Sequence, residues 1–387
     1  KEESKDAVAT KSQQRAESPL VLRESKATEA SPWSDDDVNE FELLKRARAQ
    51  ELAEPTSRNS MSLGAEDVAS DRNMMDPVSG TQDRTRRPDF PVLDQQRKQQ
   101  MNILDSVQGI AVPDPINWFL RDYQRQGVRF LFELYRKGRG GILADDMGLG
   151  KTIQVIALLT AIMRHTGFED TDARRRLKKL KELSNDDFKN EVKDWPTALI
   201  ICPATLRQNW VNEIQKWCYL EVGVCGMNAV QTREALKDFR RGRLDVLVAG
   251  LEHVRDHIDD FASSDFSAVI VDEAHRINNS GSTLHRNLSK LPCLVRLALT
   301  GTPFMNRYEE LWELLRWTNP DDFPSKKAWS LDVAIPIVEG QSTSATDLQV
   351  SGGRIVAQRL VTRLLPPFLL RRTKELLVDV IPPKVDY

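Results

Sequence analysis

The chain has 387 residues, 40% hydrophobic and 29% charged, and 55 basic against 57 acidic residues leave a net charge of −2. At roughly 150 residues per domain this length accommodates about two to three domains, with enough apolar material for a sizeable core. Four cysteines are too few for a disulfide scaffold, no apolar run approaches the roughly 20 residues of a membrane helix, and the start carries no signal-peptide core. Collagen, coiled coil, small secreted scaffold and membrane protein are excluded as readings. The chain opens on Lys1 rather than Met, so a piece of a longer protein is expected.

Residues 1–108 differ from the rest. They hold 16 basic and 21 acidic residues, a balance of −5, whereas the remainder balances at +3. Of the 26 aromatic residues only Trp33, Phe41 and Phe90 fall there. Dense charge with so few large apolar groups does not repay chain entropy, so a disordered acidic tail is expected. Inside it, Ser34–Glu40 offers a helix start, and Phe41, Leu43, Leu44, Ala47 and Leu52 follow at near-helical spacing until Pro55. A short helix near 39–53 follows from that pattern. Its modest length favours a transient helix over one that binds an unknown protein partner.

From about Val112 the texture is that of an α/β protein, and 109–380 reads as one domain. Leu120-Arg-Asp-Tyr-Gln124 comes first; the Gln124 amide, both donor and acceptor, suits the edge of an adenine. Gly141–Ala144 is a predicted buried strand. It runs into Asp145-Asp146-Met147-Gly148-Leu149-Gly150-Lys151-Thr152, and an apolar helix begins at Ile153. Strand, glycine-rich loop, Gly-Lys-Thr and helix is the context of a phosphate-binding P-loop. Gly148 and Gly150 let several N–H groups face one anion, and the helix N-terminus adds its positive end. Lys151 is placed for the β- and γ-phosphates and the Thr152 hydroxyl for Mg²⁺. The pattern's usual first glycine is Asp145 here.

Residues of about 164–195 form a charged insertion with the run Arg174-Arg-Arg-Leu-Lys-Lys-Leu-Lys181. That run reads equally as a nuclear address, a phosphate contact or the solvated face of a helix. Further buried strands are predicted at Ala198–Cys202, Asp245–Ala249, Ala268–Val271 and Val295–Leu299. Their continuous apolar runs point to a mostly parallel sheet covered by helices. The third ends in Asp272-Glu273-Ala274-His275: an acid at the tip of a strand beside a P-loop can hold Mg²⁺, and Glu273 can deprotonate an attacking water. The fourth ends in Thr300-Gly-Thr302-Pro303, whose hydroxyls could bond to the acidic segment. Residues of about 338–353 are polar and rich in Gly, Ser and Thr, and a mobile loop is expected. The five histidines show no metal spacing and read as surface residues. Trp210, Trp217, Trp312 and Trp317 sit in helical patterns with Leu neighbours and read as core.

The ordered set Leu-Arg-x-Tyr-Gln, Asp-x-Met-Gly-Leu-Gly-Lys-Thr, Cys-Pro-(x)₆-Trp, Asp-Glu-Ala-His, Leu-Thr-Gly-Thr-Pro and Phe-Leu-Leu-Arg-Arg-Thr-Lys resembles the Swi/Snf-type ATPases of helicase superfamily two, over about Asn117–Lys384. Within that family it is most similar to the Cockayne-syndrome-B-like excision-repair branch. The resemblance implies the first RecA-like lobe of a nuclear, double-stranded-DNA-dependent ATPase and translocase that uses ATP and Mg²⁺ in chromatin remodeling or DNA repair, on DNA that could be nucleosomal. Carried over, Gln124 and Asp145–Thr152 bind nucleotide, and Lys151, Asp272 and Glu273 are catalytic, with Thr152 and Asp272 on Mg²⁺. His275, Thr300, Thr302, Arg371 and Arg372 couple the ATP state to DNA, while Thr205, Arg207, Asn209 and Trp210 lie along the DNA backbone.

Residues 381–387 would begin a linker to a second RecA-like lobe. That lobe would bring the arginine finger, so the chain alone is expected to be nearly inactive. Two segments depart from the family: Phe304-Met305-Asn306 in place of Leu-Gln-Asn, and Ala249-Gly-Leu-Glu252 in place of Thr-Ser/Thr-Tyr-Glu/Asp. The missing polar groups leave open an ATP-gated DNA-binding scaffold with little translocation. An RNA helicase, which also uses Asp-Glu-Ala-His, is disfavoured by the Leu-Thr-Gly-Thr-Pro and Phe-Leu-Leu-Arg-Arg-Thr-Lys segments.

Overall fold

A strand made only of apolar residues must be covered on both faces, and the central sheet meets that requirement with helices on either side. The computed structural model describes residues 103–184, 195–226, 229–279, 281–303 and 307–377. In chain order these form the hairpin strands β1 (Ile103–Asp105) and β2 (Ile110–Ala111), then α1 (Asp122–Arg136), β3 (Gly141–Leu143), α2 (Lys151–Ile162), α3 (Glu169–Ser184), β4 (Ala198–Cys202), α4 (Arg207–Trp217), β5 (Val222–Cys225) and α5 (Ala229–Arg240). There follow β6 (Val246–Gly250), α6 (Leu251–Asp256), β7 (Ala268–Asp272), α7 (Thr283–Leu288), β8 (Arg296–Leu299), α8 (Tyr308–Thr318), α9 (Ile335–Gly340), α10 (Asp347–Arg359) and β9 (Leu369–Leu370). The short helix expected near 39–53, the 304–306 departure and the 381–387 segment lie outside the described residues.

Seven strands pair in the order β5-β6-β4-β7-β8-β3-β9, and every pairing is parallel. Successive side chains on a strand point to opposite faces. Leu143, Ile200, Val248, Ile270 and Leu297 therefore share one face, where they pack with Val128, Leu131, Ile156, Leu159 and Ile214 of α1, α2 and α4. The intervening Leu199, Ile201, Leu247, Val269 and Val271 are just as fully buried, and α8 packs on β3 and β8. This is the RecA-like α/β fold expected. Among the described residues no helix is long and apolar enough to cross a membrane.

Three expectations change. The boundary of the tail at residue 108 is too late, because Ile103–Asp105 already pairs with Ile110–Ala111. The segment 338–353 is largely helical rather than a loop: α9 reaches Gly340 and α10 starts at Asp347. Its small polar residues serve packing and capping. Thr346 and Gln349 form a reciprocal capping box at the start of α10. Gly340 and Gly353 let α9 and α10 approach so closely that a Cβ at Gly353 would lie 2.6 Å from the Pro336 carbonyl oxygen. Finally, the basic run in the charged insertion is not a uniformly solvated face. It lies on α3, where Lys179 is 4% exposed and pairs with Asp245 at 2.9 Å, and Arg176 pairs with Glu221. Arg176 and Lys179 thus fasten the insertion to the residues just before β5 and β6.

Candidate ATP site

A parallel sheet puts the C-terminal ends of all its strands on one edge, where open α/β sheets hold their ligands. Along the order β4-β7-β8-β3-β9 that edge collects, side by side, the Pro203 turn, Asp272-Glu273, the Thr300–Pro303 turn, the P-loop and Arg371-Arg372. Segments as distant as residues 124 and 372 meet there because of strand order, not chain proximity.

The P-loop has the conformation its glycines were expected to permit. Gly148 and Gly150 take φ of 90° and 78°, values that an L side chain tolerates poorly. At Gly150 a Cβ would also lie 2.5 Å from Gln124 Nε2. Gln124 is nearly buried. Its Oε1 accepts from the Arg121 N–H at 2.9 Å, and its Nε2 donates to the Leu149 carbonyl at 3.2 Å. One N–H and one oxygen lone pair remain for a ligand. Lys151 Nζ donates to the Asp145 carbonyl at 2.6 Å. Burial holds the Lys151 pKa below that of an ordinary lysine, although Glu273, Asp272, Asp145 and Asp146 pull it back up. Met147 is exposed, whereas Leu149 is fully buried and offers a ligand only its backbone.

The Asp145 side chain is taken up inside the protein. Its carboxylate is fully buried and accepts from Arg372 Nε at 2.8 Å, from Arg372 Nη2 and from Gln154 Nε2 at 3.1 Å. It serves as the buried partner of Arg372. Arg372 also donates to Gln154 Oε1 at 2.8 Å and to the Tyr123 carbonyl. The backbone continues the link, because Asp146 N donates to the Arg372 carbonyl at 3.0 Å and Lys374 N to Asp146 Oδ2 at 3.1 Å. The segment leaving β9 is thus fastened to the first turn of the P-loop. Arg371 is exposed and takes no part in this network.

Sequence reasoning missed two members of this cluster. Gln154 is fully buried, and its only signal was a polar residue within the apolar start of α2. At Gly127 an added Cβ would lie 1.7 Å from Gln154 Oε1 and 2.8 Å from Arg372 Nη2, so a larger residue there would displace the Gln154 amide from its place beside Arg372.

At the tip of β7, Asp272 Oδ1 accepts from the Glu273 N–H and Oδ2 from the indole N–H of Trp210, both at 2.9 Å. Glu273 is one of two non-glycine residues with positive φ (50°) among those described, a conformation that costs about 1–2 kcal/mol and recurs at functional sites. Glu273 Oε2 and His275 Nδ1 lie 3.3 Å apart. Both atoms are buried and neither has a hydrogen-bond partner. Thr300 is buried, but its hydroxyl donates to the Thr302 carbonyl and accepts from the Thr302 N–H, each at 3.1 Å. It closes its own turn instead of bonding to the acidic segment. That turn touches the P-loop: a Cβ at Gly301 would lie 3.2 Å from Met147 Cγ.

The segment expected along DNA splits. Thr205 and Asn209 are exposed, and Arg207 is half-buried with Nη1 donating to the Cys225 carbonyl at 3.0 Å. Trp210 is 1% exposed, so its side chain faces Asp272 and not a DNA backbone. Trp217, Trp312 and Trp317 pack in or against the core as expected, Trp217 being the least enclosed. Two histidines are not surface residues: His285 is buried with Nδ1 2.8 Å from the Ile277 carbonyl, and the His165 side chain is 9% exposed beside Asp172. Burial pushes the Cys202 and Cys225 thiols up to about 12, which keeps them protonated and unreactive.

A RecA-like sheet carrying a strand–P-loop–helix unit, with an Asp-Glu-Ala-His strand end beside it, defines the nucleotide-binding lobe of a helicase-like protein. The chain belongs to the SNF2-related domain family, which residues 123–387 match. It is 35% identical over 285 residues to a mouse (Mus musculus) protein named DNA excision repair protein ERCC-6-like 2, covering 73% of this chain and 18% of that protein. It is 26% identical over 364 residues to the DNA repair protein rhp54 of Schizosaccharomyces pombe, covering 89% of this chain and 40% of that protein. Among solved structures it is similar to the Sulfolobus solfataricus SWI2/SNF2 ATPase core in complex with dsDNA, with 26% identity, a TM-score of 0.47, and coverage of 66% of this chain and 44% of that one. The chain therefore spans less than half the length of these relatives.

Proposed function

We propose that this chain is the ATP-binding lobe of a duplex-DNA-stimulated ATPase and translocase that acts in the nucleus in DNA repair or chromatin remodeling. The observation that carries the proposal is the meeting of Lys151 and Thr152 with Asp272 and Glu273 on one sheet edge, with a buried Glu273 oxygen 3.3 Å from His275 Nδ1. Gln124 offers its remaining donor and acceptor to the adenine. The P-loop N–H groups and Lys151 hold the phosphates. Thr152 and Asp272 fit Mg²⁺, which takes few protein oxygens and keeps water and phosphate as its other ligands; when bound, the ion neutralises charge on the phosphates. Glu273 takes the proton from the attacking water, and His275 beside it receives or shares that proton. Duplex DNA, free or nucleosomal, is held without sequence preference by its phosphates, with Thr205 and Asn209 offering exposed donors. A second RecA-like lobe of the full-length protein supplies the arginine finger, worth about 10³–10⁵ in rate, so the 387-residue chain alone hydrolyses ATP slowly. A partner for residues 1–108 belongs to the same proposal.

The test is ATP turnover by the full-length protein with and without duplex DNA. Stimulation by duplex is expected, and Glu273→Gln is expected to lower the rate by about 10²–10⁴ while ATP still binds. Equal rates with and without duplex, or full activity in Glu273→Gln, refute it. The second reading, an ATP-gated DNA-binding scaffold, draws on Ala249 and Gly250, which bring no hydroxyl to the end of β6. ATP use without displacement of a third strand from a triplex would favour it.

A further inference from the structure

Among the described residues, the indole of Trp210 is the side chain that joins the turn expected to face DNA to the acid expected to hold Mg²⁺. The geometry points to Trp210 as a positioning residue for Asp272, through which the state of the 204–209 turn reaches the metal-holding carboxylate; this inference rests on the function proposed above. Four observations carry it. The bond from Trp210 Nε1 to Asp272 Oδ2 is 2.9 Å long and spans 62 residues of sequence. Trp210 is 1% exposed, so water does not compete for that donor. The other carboxylate oxygen is fixed by the Glu273 N–H, so the two donors together set the plane of the carboxylate and leave each oxygen a lone pair for a cation or its water. Lastly, Trp210 directly follows the exposed Asn209 in the first turn of α4, and Thr205 lies on the short turn before that helix.

The two ends of this link hang from neighbouring strands. The turn leaves β4, and Asp272 ends β7, which pairs with β4 through Ile201 and Val271. Val211 and Ile214 bury the same helix against the core. A small tilt of the first turn of α4, with the rest of the helix pinned, moves the indole N–H relative to Oδ2. Packing alone does not require this bond. A buried indole N–H needs an acceptor, but a backbone carbonyl would serve, as Pro324 does for Trp312 and Tyr308 for Trp329.

The test uses the full-length protein and binding of a non-hydrolysable ATP analogue, titrated at fixed Mg²⁺ and again with EDTA. Trp210→Phe keeps an aromatic ring but lacks the N–H. We expect it to weaken analogue binding in Mg²⁺ by about tenfold or more, the size of a hydrogen bond to a charged group, and to leave binding in EDTA within about twofold. We also expect duplex DNA to tighten Mg²⁺–analogue binding in the wild type and not in the variant. Unchanged Mg²⁺ dependence and unchanged DNA tightening in Trp210→Phe overturn the inference and leave the ATPase proposal standing. A wild type that binds the analogue no better with Mg²⁺ than with EDTA overturns both. If Trp210→Phe fails to fold, benzothienylalanine installed at position 210 removes only the N–H and is read by the same criteria.

Discussion

Arg372→Met should be the costliest single change in the ATP site. The Asp145 carboxylate is fully buried and the Arg372 side chain is 10% exposed. In the wild type Asp145 receives two donors from Arg372 and one from Gln154. Met retains much of the apolar stem but donates nothing, so a buried carboxylate is left with the single Gln154 N–H. Gln154 Oε1 and the Tyr123 carbonyl lose their Arg372 donors as well. Breaking a buried ion pair by removing one partner costs about 3–5 kcal/mol, a large share of the about 5–15 kcal/mol that a domain has. At about 2–4 °C per kcal/mol for a domain of this size class, the melting temperature should fall by about 6–20 °C. Thermal unfolding followed by near-ultraviolet circular dichroism measures it. Pairing the change with Asp145→Leu removes the stranded charge and should restore at least half of the loss, since apolar replacement of a whole buried pair is often neutral. A loss of under about 1 kcal/mol in the single variant, or losses that simply add in the double variant, would refute the reasoning.

Two other outcomes follow from the same geometry. Gly353→Ala should destabilise by about 1–3 kcal/mol through overpacking, since its Cβ meets the Pro336 carbonyl oxygen at 2.6 Å and the Gly340 Cα at 3.2 Å; urea unfolding reads this, and a gain in stability, as helix propensity alone would give, would show that α9 and α10 separate freely. Because burial lowers the Lys151 pKa, its phosphate-binding charge is complete at low pH and is lost as pH rises, before the roughly 10.4 of an ordinary lysine. Affinity for an ATP analogue should therefore decline on the alkaline side below that value. Cys202 and Cys225 titrate only near about 12 and do not mask the effect. Affinity that stays flat to about pH 10 would contradict it.

Much of this lobe is legible in its residues. Val, Ile, Leu and Ala runs such as Ala198–Cys202 mark strands buried on both faces, because only helices on both sides of a parallel sheet can cover them. Gly148, Gly150 and Lys151 mark the phosphate loop, because positive φ and a reachable ammonium are local properties of those residue types. Chemistry that one segment supplies by itself can be read from that segment. What the tertiary structure alone decided is pairing across the sheet edge. Whether Asp145 meets a ligand or Arg372, whether Trp210 faces DNA or Asp272, and whether Thr300 bonds to the acidic segment or to its own turn all depend on strand order, which brings residues dozens to hundreds apart within 3 Å. The same holds for 338–353, where Gly340 and Gly353 make helices that exist by packing on each other, through contacts that composition does not encode.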